Sequence, residues 1–399
     1  MINKIVVVGA GQAGVQAAQT LRQKRYEGEL VMLGNEPQPP YQRPPLSKKF
    51  LSGDVEPDAL FIRPEAFYET NNIDLKVNAH VDSIDLEKKS VRLASGEEVS
   101  WDKLLLATGT RARDLPLPGA ELEGVVTLRS IGDVELIKQL FVPGKKLVVI
   151  GGGYIGLEVT AVAKSMGLDV VVLEAQERLL KRVVSPDISS FFHGLHSGNG
   201  AELFCGTGVT SIEGTDGKLS SVKLADGSEI PCDLVLSAVG AVPNAELAEA
   251  AGLDVDDGIL VDGAGQTSHE DVYACGDCVR FFSERYGRSI RLESVQNAID
   301  QAKAVAVALT DPDHDHSHDY DPLPWFWSDQ HHIKLQIAGL SNGYDEAVLV
   351  GDTSSDSFYV AYLEKGKLIA VDSINHPRSH MMARRVIGQA WKDGLLPPA

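Results

Sequence analysis

The feature that most constrains this chain is a strand, a glycine-rich turn and a helix, which together occur twice. Residues 5–14 read IVVVGAGQAG, so an apolar run leads into Gly9, Gly11 and Gly14 and then into an alanine-rich stretch. In such a turn the first glycine allows the tight bend, the second lets a pyrophosphate approach the backbone, and the third lets the helix pack closely on the strand. The phosphates bind to free N–H groups at the positive end of the helix. The pattern therefore predicts a βαβ unit that binds a dinucleotide.

A second copy of this arrangement lies in the middle of the chain. Residues 147–156 read LVVIGGGYIG, so Gly151, Gly153 and Gly156 repeat the spacing of the first turn. An apolar strand then ends on Glu174, where a carboxylate accepts adenosine ribose hydroxyls and repels a 2′-phosphate. Two such units indicate that the chain binds two dinucleotides. Glu174 favours NADH over NADPH, with Arg178 nearby as the argument on the other side.

The corresponding position of the first unit carries two polar residues. The apolar residues 30–33 are followed by Asn35 and Glu36, where a ribose-binding acid is expected. The sequence leaves open which of the two binds the adenosine ribose.

The charge and hydropathy of the chain exclude several classes of partner. Its formal net charge is −19, which argues against general affinity for nucleic acid or anionic membrane. No stretch approaches the roughly 18 apolar residues that a membrane-spanning helix needs. The first strand begins at about residue 4, which leaves no room for a signal peptide, so we expect a cytoplasmic protein.

Cysteine and histidine offer weak signals for metal or thiol chemistry. Cys275 and Cys278 form a single C-x-x-C, with no second pair to complete a zinc site. His314, His316 and His318 lie in an Asp-rich stretch at 311–321, which is typical of an exposed linker. We expect no metal site in this chain.

The rest of the chain divides into recognisable segments. A strand at 234–239 runs into Gly240, and a long helix is predicted over 295–309. After the linker, residues 322–399 read as an α+β unit with strands at 358–363 and 368–372 and a final helix at 378–392.

Two dinucleotide sites in one chain indicate FAD and a nicotinamide nucleotide, placed so that a hydride passes between them. Asp277 follows an apolar run and Gly276, which suits a carboxylate that accepts hydroxyls of the flavin's ribityl or pyrophosphate region. Lys48 follows a rigid Pro-Pro turn, and an ammonium at the flavin edge would stabilise an electron-rich ring. Glu158, on the helix of the second turn, is the candidate partner of Lys48. Surface solvation is the alternative for both residues.

These motifs resemble those of the FAD-dependent ferredoxin reductases of bacterial oxygenase systems. The resemblance covers essentially the whole chain. It rests on the two glycine turns, RPPLSK at 43–48, LATG at 106–109, Gly276-Asp277 and WFWSDQ at 325–330. It implies an α/β fold of the glutathione-reductase type, in which two doubly wound, Rossmann-like domains for FAD and NAD precede a C-terminal α+β domain. The implied domains are FAD-binding 1–112 and 243–318, NAD-binding 113–242 and C-terminal 319–399.

The resemblance also implies roles for individual residues. The FAD contacts are Gly9, Gly11, Gln12, Ala13, Gly14, Asn35, Glu36, Arg43, Pro44, Lys48, Val81, Ala107, Thr108, Gly109, Arg129, Gly276, Asp277, Ser294, Val295 and Trp327. The NAD contacts are Gly151, Gly153, Tyr154, Ile155, Gly156, Glu158, Glu174 and Gly240. Lys48, Glu158 and Trp327 are the implied catalytic residues, although an aromatic residue in a Trp-Phe-Trp run is more often part of a core. The resemblance also implies that Lys303 faces a ferredoxin. The candidates for a local basic patch, which such a partner needs on an acidic chain, are Lys303, Arg288, Arg291, Arg378, Arg384 and Arg385. A solvated helix face is the alternative for each of them.

The family implies an activity as well. Disulfide reductases of similar architecture carry a cysteine pair just before the position of Lys48, and residues 42–47 contain no cysteine. Electrons would therefore leave from the flavin edge. We expect an NADH-dependent enzyme with tightly but non-covalently bound FAD that reduces a 2Fe-2S ferredoxin for a cytochrome P-450 type monooxygenase.

Other interpretations stay open at this point. A ring-hydroxylating dioxygenase or a rubredoxin is an alternative end user of the electrons. From other classes, an NADH oxidase or a redox-switched binding protein are alternatives. The sequence favours a monomer through the resemblance and leaves a dimer open.

Overall fold

The computed structural model describes residues 2–311 and 320–399, and its chain divides into two compact units. The first unit comprises Met1–Gln42, Asp58–Arg111 and Ala241–Pro324, and the second comprises Arg43–Pro57, Ala112–Gly240 and Trp325–Ala399. Each unit is thus built from segments that are far apart in the sequence. The three linker histidines and the predicted boundary at 318/319 lie outside the described residues.

The helices and strands of the described residues are numbered in chain order. The helices are α1 Gln12–Gln23, α2 Glu65–Thr70, α3 Ile131–Leu140, α4 Tyr154–Ser165, α5 Pro186–Gly198, α6 Glu246–Ala250, α7 Val295–Thr310 and α8 Pro377–Val386. The strands are β1 Lys4–Val8, β2 Glu29–Leu33, β3 Asp74–Lys76, β4 Val81–Asp85, β5 Ser90–Leu93, β6 Glu98–Ser100, β7 Lys103–Leu106, β8 Thr110–Ala112, β9 Val125–Val126, β10 Lys146–Ile150, β11 Asp169–Glu174, β12 Glu202–Cys205, β13 Val209–Thr215, β14 Lys218–Leu224, β15 Glu229–Pro231, β16 Leu234–Ser237, β17 Ala241–Pro243, β18 Ile259–Val261, β19 Val272–Ala274, β20 Val279–Ser283, β21 Arg288–Arg291, β22 Trp325–Gln330, β23 Ile333–Gly339, β24 Glu346–Asp352, β25 Ser357–Glu364 and β26 Lys367–Ile374.

A five-stranded parallel sheet with the order β19-β7-β1-β2-β3 forms the centre of the first unit. Its inner strands β7 and β1, and β2 beside them, are almost continuous apolar runs, because a parallel sheet is covered on both faces. Helices α1 and α7 pack on each other, and their apolar faces join the sheet in one core that includes Leu21, Met32, Leu105 and Leu309. Burial of each such side chain stabilises the fold by about 1.5–3 kcal/mol.

The second unit contains a similar parallel sheet with the order β12-β11-β10-β16-β9. Its central strand is β10, which pairs with β11 on one side and with β16 on the other. Helix α4 packs on β10 and β11, directly after the second glycine turn. The antiparallel sheet β13-β14-β15 covers the apolar side chains of Val148, Val171 and Val235.

A third sheet of this unit is antiparallel, with the order β22-β23-β26-β25-β24. Helix α8 packs against β23 and β26, while the edge strand β22 contacts α4. Successive side chains of a strand point to opposite faces. Ser328 and Gln330 therefore share one face of β22, and Trp325 and Trp327 share the other.

The final helix is shorter than the sequence predicts. It ends at Val386 instead of continuing to Lys392, because the backbone leaves the helical path at Ile387, whose ψ is 133°, and Gly388 follows with a φ of 98°. The N–H of Gly388 then donates to the carbonyl of Leu368, so the chain after α8 lies beside the first residues of β26.

The predicted fold class is confirmed. Each of the two parallel sheets contains a strand that leads into a glycine turn and a helix. Residues 325–399 form an antiparallel sheet with a helix.

Candidate functional site

The predicted FAD-binding residues of the first unit gather at one edge of its parallel sheet. Gly9 follows β1, Glu36 comes soon after β2, Ala107 follows β7 and Gly276 comes soon after β19. Because the carboxyl ends of parallel strands meet at the same edge, these positions face the same crevice. Ligands of open α/β sheets bind at this edge.

The first glycine turn has the geometry that a pyrophosphate needs. Gly9 has a φ of 113°, and a Cβ there would lie 2.1 Å from the carbonyl oxygen of Ala107. A Cβ on Gly14 would lie 2.0 Å from the carbonyl oxygen of Gly9, so this glycine lets α1 pack on the turn. At Gly11, in contrast, a Cβ would meet no described atom within 4 Å. The second glycine thus borders open space beside the start of α1, where a pyrophosphate would fit.

Asn35 and Glu36 differ in how the fold holds them. Asn35 is exposed, whereas Glu36 is half-buried and accepts a hydrogen bond from the hydroxyl of the buried Tyr41. The carboxylate of Glu36 is therefore held more rigidly than the amide of Asn35.

The other candidates of the first unit lie at ends of elements. Gly276 has a φ of 88°, and its N–H donates to Gln301 Oε1 at 2.9 Å. A Cβ on Gly276 would lie 3.0 Å from the Cβ of Ala13, so Asp277 is close to the first glycine turn. Ser294 caps α7 and Val295 is its first residue. The remaining candidates are Val81, the first residue of β4, Gln12, the first residue of α1, and Thr108 and Gly109 after β7.

The second glycine turn repeats the same geometry in the second unit. A Cβ on Gly151 would lie 2.4 Å from the carbonyl oxygen of Ala238, and one on Gly156 would lie 2.2 Å from that of Gly151. At Gly153 a Cβ would meet no described atom within 4 Å. This turn also leaves room for a pyrophosphate beside the second glycine of the motif, Gly153.

Glu174 at the end of β11 is turned towards that glycine turn. Its Oε2 accepts the N–H of Gly152 at 2.7 Å, and its Oε1 accepts the N–H of Gln176 at 2.7 Å. The guanidinium of Arg178 donates to the carbonyl of Val184 at 2.9 Å and to Ser189 Oγ at 2.6 Å. Arg178 is therefore already engaged by protein oxygens.

Three further NAD candidates surround the second turn. Tyr154 is the first residue of α4, and its ring lies 4.9 Å from that of Phe326, centroid to centroid. Ile155 beside it is exposed, and Gly240 follows β16 with a φ of 109°.

The predicted contact between Lys48 and Glu158 is present. Lys48 Nζ lies 2.7 Å from Glu158 Oε2, and the Glu158 residue is only 3% exposed. Lys48 Nζ also lies 3.3 Å from the carbonyl oxygen of Pro44, in the short 3-10 turn Pro44–Ser47. The ammonium is held at a fixed place between this turn and α4.

Glu158 has further partners that the sequence alone did not reveal. The hydroxyl of Ser47 donates to Glu158 Oε2 at 2.5 Å, and the hydroxyl of Ser328 donates to Oε1 at 2.6 Å. Three donors thus compensate a carboxylate that has lost its water, which is the condition for burying a charge. The strand alternation of WFWSDQ was the signal that would have paired Ser328 with Gln330 on one face.

Trp327 lies on the face of β22 opposite to Ser328. Its ring stacks on that of Trp325 with centroids 5.9 Å apart and planes inclined by 30°. The guanidinium of Arg384 lies 4.9 Å from the centre of the Trp325 ring.

Two further FAD candidates, Arg43 and Arg129, lie together, because Arg43 Nη1 donates to the carbonyl of Arg129 at 2.7 Å.

The predicted docking residues differ in how available their charges are. The Arg291 side chain is only 13% exposed and is paired with Glu293 and Asp257, and Lys303 pairs with Asp300 at 3.2 Å. Arg288 is exposed on β21. In the second unit, Arg378, Arg384 and Arg385 are exposed on α8; among the described residues, none of the three forms an ion pair. Arg288 and the three arginines of α8 are therefore the exposed charges of this set, and α8 carries three of them on one helix.

The thiols of Cys275 and Cys278 are fully buried and unpaired. Burial raises the pKa of the Cys275 thiol well above its ordinary value and also raises that of Cys278. Reactive thiolates need the opposite shift.

Over residues 2–311 and 320–399, no cluster of three or more His, Cys, Asp or Glu side chains is suited to a metal ion. None of the helices in these ranges is long and apolar enough to cross a membrane.

Comparisons with known proteins agree with this geometry. Residues 3–302 match the family described as "Pyridine nucleotide-disulphide oxidoreductase", and residues 325–394 match "Reductase C-terminal". Rhodocoxin reductase of Rhodococcus erythropolis is 42% identical over 96% of this chain and 89% of its own.

Two solved structures are similar over almost the whole chain. The ferredoxin reductase for the CYP199A2 system from Rhodopseudomonas palustris is 43% identical, with a TM-score of 0.92 and coverage of 96% of this chain and 93% of its own. The reductase in a covalent putidaredoxin reductase–putidaredoxin complex is 38% identical, with a TM-score of 0.91 and coverage of 97% and 94%. The chain therefore belongs to the pyridine nucleotide-disulphide oxidoreductase family, among the ferredoxin reductases that carry the reductase C-terminal domain.

Proposed function

We propose that this protein is an NADH:ferredoxin oxidoreductase that reduces a 2Fe-2S ferredoxin for a cytochrome P-450 type monooxygenase. Membership of the family implies FAD and NAD(H) as cofactors. The observation that carries the proposal is the ion pair of Lys48 with the buried Glu158. Lys48 directly follows residues 42–47, which contain no cysteine where disulfide reductases of similar architecture carry a cysteine pair. A ring-hydroxylating dioxygenase and a rubredoxin are the alternative recipients of the electrons.

The residues around the first glycine turn fit FAD. Gly11 borders open space, Glu36 is a rigidly held carboxylate, and Asp277 lies at the same sheet edge. We propose residues 1–112 and 243–318 as the FAD-binding domain, 113–242 as the NAD-binding domain and 319–399 as the C-terminal domain. The FAD contacts that we propose are the twenty residues named above, from Gly9 to Trp327. When bound, FAD accepts a hydride from NADH and gives up the two electrons one at a time.

Lys48 supplies a fixed positive charge in this scheme. A preorganised ammonium stabilises negative charge that develops near it without reorganisation during the reaction. Glu158 keeps that ammonium in place and prevents Lys48 from being an uncompensated charge in a partly buried position. Lys48 thus supplies the charge, and Glu158 positions it.

The second glycine turn favours NADH over NADPH. Both carboxylate oxygens of Glu174 are anchored by backbone N–H groups, so its negative charge has a fixed place near the turn. A 2′-phosphate there would be repelled. Arg178 offers little compensation, because its guanidinium is bound to Val184 and Ser189.

Helix α8 provides the surface that we propose for the ferredoxin. Its sequence, PRSHMMARRV, carries three arginines and no acidic residue in a chain whose formal net charge is −19. Met381 and Met382 are exposed between these charges. An acidic protein surface complements such a patch and speeds association. We further propose a monomeric protein that works in the cytoplasm, where NADH is produced.

The experiment that tests this function is NADH-driven reduction of cytochrome c with and without an oxygenase-type 2Fe-2S ferredoxin. We expect strong dependence on the ferredoxin, with rates that fall as salt rises, because a charged interface is screened. If the ferredoxin changes nothing while oxygen is consumed rapidly, the protein is an NADH oxidase. A redox-dependent change of oligomeric state with poor electron transfer would indicate a binding protein instead.

A further inference from the structure

A series of hydrogen bonds leads from Glu158 across the edge strand β22 to helix α5. Ser328 Oγ lies 2.6 Å from Glu158 Oε1, and Gln330 Nε2 lies 3.1 Å from Ser328 Oγ. Gln330 Oε1 in turn lies 2.8 Å from His196 Nε2. Ser328, Gln330 and His196 are all 0% exposed. These three polar side chains are therefore buried together behind the carboxylate that holds Lys48.

The carboxylate of Glu158 fixes the direction of every bond in this series. An ionised carboxylate only accepts hydrogen bonds, so the hydroxyl hydrogen of Ser328 points to Glu158. The lone pairs of Ser328 Oγ are then available to the amide N–H of Gln330. That choice leaves Gln330 Oε1 to accept the Nε2–H of His196.

The state of His196 agrees with this direction. Burial lowers the pKa of His196 to about 4, so the imidazole is neutral near pH 7 and has one N–H. Nδ1 has no hydrogen-bond partner among the described residues, as expected when the proton is on Nε2. Every hydrogen bond of the series is thus donated in the direction of Glu158.

We propose that Ser328 and Gln330 are positioning residues that hold the Glu158 carboxylate in a single orientation, and through it fix Lys48. The inference rests on the proposed function of Lys48 towards the flavin. Without the Ser328 hydroxyl, Oε1 of Glu158 would be a buried charged oxygen with no donor, and the carboxylate would turn away from Lys48 to find one. Displacements of about 1 Å in a catalytic group can reduce rates by about a hundredfold.

The structure offers a matched control for this position. Ser373 lies in the same antiparallel sheet, is also 0% exposed and exchanges a hydrogen bond of 2.7 Å with Ser379 Oγ. Ser328→Ala and Ser373→Ala therefore remove the same atom from equally buried places, but the first alone removes a partner of Glu158. Gln330→Met tests the second member of the series with little change in shape.

The first measurement is the rate constant of flavin reduction by NADH, followed in a stopped-flow instrument without ferredoxin. We expect Ser328→Ala to reduce it about tenfold, the loss of one hydrogen bond to a charged group. Gln330→Met should have a smaller effect of the same kind. Ser328→Thr, which restores the hydroxyl, should recover most of the rate, and Ser373→Ala should stay within about twofold of the parent.

The second measurement does not depend on activity. Thermal unfolding is compared for Ser328→Ala, Glu158→Gln and the double variant. We expect the two Tm shifts to be non-additive, with the double variant less affected than their sum, because the two side chains act on each other directly. If Glu158→Gln does not fold, the rescue by Ser328→Thr decides the question.

Two results would overturn the proposal. One is a Ser328→Ala rate no lower than that of Ser373→Ala, and the other is additive Tm shifts together with no rescue by Ser328→Thr. A holoenzyme in which NADH reduces the flavin normally but no 2Fe-2S ferredoxin accepts electrons would contradict the proposed function, and it would leave the inference about Ser328 intact.

Discussion

Glu174 Oε2 accepts a hydrogen bond of 2.7 Å from the backbone N–H of Gly152, so the acid that ends β11 is tied to the glycine turn that begins α4. The bond places a fixed negative charge beside the turn where the adenosine half of a nucleotide is expected. Glu174 thus shapes the turn, and we propose that it also selects the nucleotide.

The first prediction concerns this selection. Glu174→Ala should lower kcat/KM for NADH about tenfold, through the loss of a charged acceptor for the ribose hydroxyls. It should lower kcat/KM for NADPH less or raise it, because the repulsion of the 2′-phosphate disappears. The measurement is ferricyanide reduction with each nucleotide at low salt.

Glu177→Ala is the matched control for this change. Glu177 is an exposed acid three residues further on, and its carboxylate pairs with Lys181. It should leave the ratio of the two nucleotides unchanged. An unaltered ratio in Glu174→Ala as well would show that the carboxylate does not select the nucleotide.

The second prediction concerns the cost of breaking the buried pair. Lys48→Met leaves Glu158, whose side chain is 2% exposed, without its cation. We expect the free energy of unfolding to fall by about 3 kcal/mol, since removal of Lys48 leaves the Glu158 carboxylate as an uncompensated buried charge. Lys48→Met combined with Glu158→Leu should recover most of the loss. Urea denaturation of the purified holoenzyme measures both.

The exposed pair of Lys88 and Asp85 provides the comparison. Lys88→Met removes an ion pair of 2.8 Å at the surface and should change the stability little. If Lys48→Met is equally mild, the buried Glu158 does not depend on Lys48, and the ion pair does not hold Lys48 in place.

The contrast between these residues shows what a sequence can predict. The two glycine turns are local, because strand, turn and helix are contiguous, and the structure has them where the sequence places them. The contact of Lys48 with Glu158 spans 110 positions and was predicted only as a candidate pair. Ser328, Gln330 and His196 were missed as a group, because their meeting depends on how β22 packs against α4 and α5.

The end of the final helix illustrates the same limit on a smaller scale. The sequence from Arg378 to Lys392 has a helical pattern, and Gly388 alone does not exclude a helix. What favours the end of the helix is the start of β26, where the carbonyl of Leu368 accepts a hydrogen bond from the N–H of Gly388. Such a bond is invisible until the sheet is known.

The third prediction concerns the ferredoxin. Arg384→Glu and Arg385→Glu should raise the KM for an acidic 2Fe-2S ferredoxin by about tenfold with little change in kcat, and should weaken its dependence on salt. Flavin reduction by NADH should be unaffected. The measurement is ferredoxin-dependent cytochrome c reduction over a range of salt concentrations.

Lys218→Glu makes the same change of charge on an exposed residue at the start of β14 and serves as the control. Arg288→Glu tests the first unit in the same assay. If Arg288→Glu raises the KM and the two α8 variants do not, the ferredoxin binds at β21 and the assignment to α8 is wrong.

The last prediction concerns the dependence of stability on pH. Asp372 of β26 is fully buried, accepts a hydrogen bond from the Tyr362 hydroxyl and has one oxygen without a partner among the described residues. Burial raises the pKa of Asp372 from 3.8 to about 7. The folded state therefore binds a proton that the unfolded state releases between about pH 4 and pH 7, so this group makes the protein less stable as the pH rises through that range.

Asp372→Asn should remove this dependence, because asparagine resembles the protonated acid and still accepts the hydrogen bond of Tyr362. We expect the variant to be close to the parent in stability at pH 4.5 and more stable than it at pH 8, by up to roughly 4 kcal/mol. Urea denaturation at the two pH values measures the difference, with Glu346→Gln, an exposed acid of the same sheet, as the control. Equal effects of Asp372→Asn at both pH values would mean that Asp372 is ionised in the folded protein throughout, and that its burial is compensated by a donor not seen in this arrangement.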